Sequence, residues 1–257
     1  MSEIWGIVPA AGLGSRIQPL AFSKELLPVG CRVEDERQRP RAVSEYLIER
    51  MITAGATRIC FVVSPGKSDI MEYFGGRLGD TSICYAVQQD PKGLCDALFT
   101  ALPFISPDSD VLIGLPDTIW FPVDGFQQLP ARRFSFLLFE VQSPHLFDAV
   151  CSDDHGRVTQ VQVKTPTPDT NWVWGAFRMP GQTLSALQQL WCERHRKDEY
   201  MGTLVNEYIN RGGAVHAVKR GELYVDVGTL HGYHEALRVL SRTELAIPSA
   251  TANGRAA

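Results

Sequence analysis

The chain has 257 residues, 44% hydrophobic and 21% charged, enough to bury the core of one large domain or two small ones. A formal charge of -4 and an isoelectric point near 5.9 give no basic field that would draw in nucleic acid or an anionic membrane surface. No apolar run nears the roughly 20 residues that cross a bilayer, no basic leader precedes the first apolar stretch and the six cysteines form no CxxC pair. These features predict a cytoplasmic protein with buried, reduced thiols and neither a nucleic-acid nor a membrane partner.

The N-terminal run "IWGIV" reads as a strand that opens directly into Ala10, Ala11, Gly12, Leu13, Gly14 and Ser15. A backbone so free of side chains can turn successive N–H groups toward an anion at a sheet edge. Arg16 adds a fork suited to phosphate oxygens, and Lys24 adds a point charge beyond Pro19. Two common nucleotide loops are excluded. The third glycine of a dinucleotide fingerprint would fall on Ile17, and no Gly-Lys-Ser/Thr closes the run.

After the charged stretch "CRVEDERQRPR", expected to be a solvated loop, strand and helix patterns alternate: "AVSEYLIERMITAG" helical, "RICFVV" extended, "KSDIMEYFGG" helical, "SICYAV" extended, "GLCDALFTAL" helical and "DVLIGLP" extended. This alternation predicts βαβ units around a parallel sheet covered on both faces. The second half is less regular. "FSFLLFEV", "VTQVQV", "WVWGAFRM", "AVHAV" and "ELYV" read as strands, and "TLSALQQLWCERHRK", "MGTLVNEYINRG" and "TLHGYHEALRVLSR" as helices, so the sheet is expected to continue with mixed strand directions. One domain is expected over residues 1–242, with a flexible tail at 243–257. His231 and His234 would share a helix face, but no further ligands accompany them and a surface role is the simpler reading.

Taken in order, "PAAGLGSR", "KELLPV", "YAVQQDPKGLCDAL", "DVLIGLPDTIW", "VTQVQVKTPTP", "NWVWGAF" and "ELYVDVGTLHGYHEAL" resemble the motifs of the sugar-1-phosphate nucleotidylyltransferases over almost the whole chain. The resemblance implies an α/β, Rossmann-like nucleotidyltransferase fold with a central mixed, mostly parallel sheet flanked by helices. It implies that residues 10–15 wrap a nucleoside triphosphate, that Arg16 binds its tail, and that Lys24 stabilises the α-phosphate and the leaving charge. Gln88 would read a pyrimidine edge with its amide donor and acceptor, and Gly93 would lie beneath the base. Asp117 and Asp226, 109 positions apart by 226 − 117, would hold Mg2+ against the phosphates. Lys164 would orient the acceptor phosphate, Gly175 would lie beside the sugar ring, and Trp174 would either stack on the acceptor or simply pack in the core.

Three departures from the family pattern stand out: Ser23 replaces the proline before Lys24, Pro116 replaces the glycine before Asp117, and Val163 replaces a glutamate that commonly binds sugar hydroxyls. The implied activity is transfer of a nucleotidyl group, from UTP or dTTP by preference, to a sugar 1-phosphate with release of pyrophosphate. Val163 leaves open a non-glucose sugar phosphate or a phosphorylated alcohol such as phosphocholine. A non-catalytic nucleotide-sugar-binding protein is the rival from another class, and an NAD-dependent oxidoreductase is weaker still. The extended C-terminal region of many relatives has no counterpart in the sequence, so their assembly is not carried over and a homo-oligomer stays an open expectation.

Overall fold

The computed structural model describes residues 3–34 and 36–246. In chain order the elements are β1 (Ile4–Pro9), β2 (Pro28–Glu34), β3 (Arg37–Ala42), α1 (Val43–Thr53), β4 (Arg58–Val63), α2 (Ser68–Phe74), β5 (Arg77–Leu78), β6 (Thr81–Val87), α3 (Leu94–Ala101), β7 (Asp110–Gly114), β8 (Thr118–Phe121), β9 (Ser135–Glu140), β10 (Asp148–Ser152), β11 (Val158–Val163), β12 (Trp172–Pro180), α4 (Gly181–Glu193), α5 (Met201–Asn210), β13 (His216–Gly221), β14 (Leu223–Asp226) and α6 (Leu230–Ala246). Helix α6 runs past the boundary expected at residue 242, and residues 247–257 of the expected tail lie outside the described residues.

The main sheet runs β11-β10-β12-β7-β1-β4-β6-β5, with β9 and β13 continuing from β12. Its centre, β7-β1-β4-β6, is parallel, and β12 enters antiparallel to β7. This is the mixed, mostly parallel α/β sheet expected from the alternating patterns. Neighbouring residues of β4 show why both faces are covered. Cys60 and Val62 join Trp5, Ile7, Ala97, Leu98, Leu184 and Leu204 on one side, whereas Ile59, Phe61 and Val63 join Val8, Leu47, Met51 and Ile70 on the other. Helices α3, α4 and α5 thus pack on the first face, and α1 and α2 on the second. Each fully buried aliphatic side chain there contributes about 2 kcal/mol.

Beside the main sheet, β8 and β14 form a small antiparallel pair, with Thr118 opposite Asp226. A third apolar cluster fixes it: Ile119, Val225 and Val227 pack with Val29, Tyr46, Ala236 and Leu240, so that α1 and α6 both bear on this pair. Arg50, buried in α1, donates to the Trp120 carbonyl through Nε at 2.9 Å and to the Tyr46 carbonyl through Nη1 at 2.6 Å, and Trp120 lies in β8. The strand that carries the site is therefore hydrogen-bonded to the helix behind it.

The charged stretch after residue 30 is a hairpin rather than a loop, with Arg32 opposite Arg39 and Val33 opposite Gln38 in the β2–β3 ladder. In β2 Val29, Cys31 and Val33 alternate, but β3 is arginine-rich along its length and offers none of the period-two apolar signal that would have marked it as a strand. Ion pairs from Arg32 to Glu45 at 2.6 Å and from Arg41 to Glu49 at 2.5 Å fasten it to α1. Strands β8 and β10 are likewise additions to the sequence reading, and Cys192, expected to be buried, is exposed.

Candidate active site

Strand β1 ends at Pro9, and the following Ala10 and Ala11 are buried while Leu13 is 71% exposed, so the loop rises out of the sheet within a few residues. Gly14 has a φ of 66°, and a Cβ there would sit 2.6 Å from Lys24 Cδ. Glycine is thus needed twice at position 14, for the left-handed turn and for passage of the lysine stem.

Lys24 starts a short 3-10 turn held from behind by residues that the sequence reading missed. Asp69 accepts the Ser23 N–H at 2.6 Å and the Ser23 hydroxyl at 2.7 Å. A proline could make neither bond, which gives the departure at Ser23 a physical basis. Glu25, fully buried, accepts two hydrogen bonds from Lys67 Nζ, each at 2.8 Å. No pattern in the sequence links residues 25 and 67 or 23 and 69; only the folded chain does.

The Lys24 ammonium meets Asp117 Oδ2 at 2.6 Å, and Arg16 Nη1 meets Asp226 Oδ2 at 3.1 Å. The carboxylates that resemblance alone had joined are neighbours: the Val227 N–H donates to the Asp117 carbonyl at 2.8 Å. A Cβ built on Gly228 would lie 2.8 Å from Asp117 Oδ2, 2.9 Å from Asp226 Oδ1 and 3.1 Å from Arg16 Nη2. Two acids and a guanidinium thus converge on one glycine. Burial opposes ionisation of Lys24, but the charges of Asp117 and Glu25 outweigh it and hold its pKa above the ordinary lysine value. Asp117 is displaced the matching way: burial opposes its charge, and Lys24 holds its carboxyl below the usual range. The pair is poised fully ionised.

A cleft of about 270 Å³ adjoins this cluster, lined by Ala11, Gly12, Lys24, Gln88, Leu94 and Asp117 among others. A second, of about 440 Å³, shares Lys24 and includes Leu13, Gln18, Lys67 and Asp69. A further groove of about 430 Å³ between Arg32, Glu45 and Tyr73 holds none of the expected residues. Gln88 is 4% exposed, and its Nε2 donates to Asp96 on α3, another partner that the sequence did not announce. That bond fixes the amide plane while leaving its carbonyl and second N–H to a ligand. Gly93 has a φ of 92°, and a Cβ there would strike the Glu199 carbonyl at 2.6 Å, so a glycine is required by the close passage of the α4–α5 connection.

The residues expected on the acceptor side are placed differently. Lys164, with a left-handed φ of 47°, donates through Nζ to the Leu146 carbonyl at 2.9 Å. Gly175 is a bulge in β12, and the space of its missing side chain is taken by the rings of Tyr224 and Phe139. Trp174 packs in the core against Phe136 and Phe177, with centroids at 6.2 and 5.5 Å. Its ring is a core element, not an exposed platform.

A cationic glycine loop at the C-terminal edge of a parallel sheet, facing Asp117 just past β7 and Asp226 at the end of β14, defines a nucleotide-handling α/β protein. The family model described as nucleotidyl transferase matches residues 5–242, and the chain belongs to that family, which bears out the resemblance drawn from the motifs. It is 28% identical to a glucose-1-phosphate thymidylyltransferase of Mycolicibacterium smegmatis, over 93% of this chain and 83% of that one. A glucose-1-phosphate thymidylyltransferase of Neisseria meningitidis is 27% identical, over 90% and 80%. Among solved structures, the UDP-glucose pyrophosphorylase of Acinetobacter baumannii superposes with a TM-score of 0.75 at 19% identity, covering 97% of this chain and 95% of that one. The protein is a nucleotidyltransferase.

Proposed function

We propose that the protein transfers a thymidylyl or uridylyl group from the nucleoside triphosphate to a sugar 1-phosphate, releasing pyrophosphate. The observation that carries this reading is the convergence of Lys24, Arg16, Asp117 and Asp226 beside a cleft whose wall holds Gln88. Curated relatives named glucose-1-phosphate thymidylyltransferase support the acceptor class.

In this reading the backbone of residues 10–15 and the Arg16 fork take the triphosphate, and Lys24 neutralises charge at the α-phosphate. The Gln88 amide, oriented by Asp96, pairs with the imide edge of uracil or thymine. Asp117 and Asp226 would hold magnesium. Two carboxylates with room beside them suit a small hard cation that keeps its other positions for water and phosphate. When bound, the metal supplies charge neutralisation at the phosphates; Lys24 and Arg16, which pair with the same carboxylates, would then be released toward the nucleotide. The acceptor phosphate oxygen attacks the α-phosphorus in line, and pyrophosphate leaves, so catalysis rests on alignment and charge stabilisation.

The test is pyrophosphate release with magnesium for each nucleoside triphosphate crossed with hexose 1-phosphates and phosphocholine. Release with dTTP or UTP and a sugar 1-phosphate is expected. Turnover confined to purine triphosphates or to phosphocholine would overturn the assignment.

A further inference from the structure

Strands β4 and β6 run side by side in parallel, with Arg58 opposite Ser82, Cys60 opposite Cys84 and Val62 opposite Ala86. Alternate residues of a strand share a face, so the three pairs form one stripe on the face that α3 covers. The cover is partial. Arg58 and Ser82 are exposed and Val62 and Ala86 are buried; the cysteines lie at the boundary, Cys60 buried and Cys84 half-buried. Neighbouring strands stand about 4.8 Å apart, within the roughly 4.4–6.8 Å that separates the Cα atoms of bridged cysteines. Joining this pair therefore needs no change of register, only a closer approach of the two Cβ atoms.

The two thiols are unequal. A hydrogen bond from Cys60, aided by the Arg58 charge, brings the Cys84 pKa down to about 7 against its partial burial, whereas the same bond, burial and the Cys84 charge push Cys60 up. The other contact of Cys60 Sγ, with the Phe61 carbonyl, is long at 3.9 Å. A half-buried thiolate beside a protonated thiol is the arrangement of an attacking and a resolving cysteine. Cys95 on α3 contrasts with it: burial, and then the charges of Asp198 and Asp96, raise its pKa to about 12. Nucleotidyl transfer as described above uses neither Cys60 nor Cys84.

We propose that Cys84 and Cys60 form a dithiol that hydrogen peroxide oxidises to a disulfide, and that closing it weakens nucleotide binding. The Cys84 thiolate attacks one peroxide oxygen, the O–O bond breaks, hydroxide leaves and Cys84 becomes a sulfenic acid. The Cys60 sulfur then attacks the Cys84 sulfur; the S–O bond breaks, and the hydroxyl departs with the Cys60 proton as water. Two thiols are oxidised to one disulfide and the peroxide is reduced to water. The consequence for the nucleotide follows from position. Gln88 stands just past the end of β6, where its N–H donates to the Val63 carbonyl of β4 at 2.9 Å. Bringing the Cβ atoms to about 3.8 Å draws β6 toward β4 by up to about 1 Å, and this strains the Gln88 amide against its anchor, Asp96 on α3. The nucleotide half of the proposal rests on the base-reading role given to Gln88 above; the dithiol chemistry does not.

The experiment treats the full chain, carrying Cys192→Ser to remove an exposed thiol, with hydrogen peroxide. Trypsin places Cys60 and Cys84 on separate peptides, 59–67 and 78–92. These should be recovered joined, with the summed mass less two hydrogen atoms, and should separate in dithiothreitol. Cys60→Ala should instead stop at a Cys84 sulfenic acid that dimedone traps, and Cys84→Ser should leave both peptides unmodified. Calorimetric binding of dTTP with magnesium should weaken several-fold in the joined protein and recover on reduction. Peptides that stay separate after peroxide, or a link made through another cysteine, overturn the inference. A joined protein that binds dTTP as the reduced one does overturns the coupling to Gln88. A reduced protein that binds neither dTTP nor UTP would defeat the nucleotide reading and with it that coupling, while joined peptides would still establish the dithiol.

Discussion

Replacing Gly228 with alanine would set a methyl carbon 2.8 Å from Asp117 Oδ2 and 2.9 Å from Asp226 Oδ1. Carbon–oxygen contacts settle at about 3.3 Å or more, so each carboxylate must retreat by about 0.5 Å. The backbone gives no reason for misfolding, because Gly228 is not among the glycines with positive φ. Moving two ion-paired carboxylates should cost about 1–3 kcal/mol of folding stability and leave a folded protein. Misplacing reacting groups by about 1 Å costs on the order of 100-fold in rate, so half that shift should cost about tenfold, or 1.4 kcal/mol of barrier. Steady-state pyrophosphate release at saturating substrates, titrated with magnesium, would show a lower kcat and a higher half-saturating metal concentration. A folded Gly228→Ala protein with wild-type kcat and wild-type metal dependence would refute the claim that these carboxylates share one working site.

Other perturbations probe the parts around that centre. Asp96→Ala frees the Gln88 amide from its anchor, so kinetic discrimination between pyrimidine and purine triphosphates should fall several-fold while pyrophosphate release persists; unchanged discrimination would mean that Asp96 does not orient the base reader. Gly14→Ala combines a left-handed φ of 66° with a 2.6 Å approach to Lys24 Cδ. Denaturant unfolding should show a loss of about 1–2 kcal/mol, and kcat/KM for the triphosphate should fall; a fully stable, fully active variant would contradict the double role of this glycine. The Asp117 carboxyl is held below its ordinary pKa of 3.8, so its pairing stabilises the fold above that pH and is lost as the pH falls through the depressed value. Asp117→Asn should accordingly be less stable than the wild type at pH 7, with the gap closing below pH 3.8 in urea titrations; a gap that persists into strong acid would contradict the ionised pair.

The parts legible in the sequence were those written locally. A strand opening into small residues marked the glycine loop, and periodicity marked the βα units of the parallel half. Asp117 and Asp226 became a pair only through family resemblance, and the structure supplies the physical link through β8, β14 and Gly228. What stayed hidden depends on contacts between distant positions: Asp69 behind Ser23, Lys67 behind Glu25 and Asp96 behind Gln88. The β2–β3 hairpin was missed for another reason: β3 is arginine-rich along its length, and the short alternation of Val29, Cys31 and Val33 in β2 is masked by the acidic and basic residues that follow. Gly93 and Gly175 were noticed for the ligand they would touch, yet the backbone of Glu199 and the ring of Tyr224 already require glycine at those positions.

The account turns on attack at the α-phosphorus, and the fate of an isotope placed there tests it most directly. With dTTP or UTP labelled at the α-phosphate, magnesium and a sugar 1-phosphate, the label should appear in a nucleoside diphosphate sugar while unlabelled pyrophosphate is released in equal amount. Cleavage at the γ-phosphate instead would contradict attack at the α-phosphorus, and label recovered only as nucleoside monophosphate would contradict transfer to the sugar phosphate.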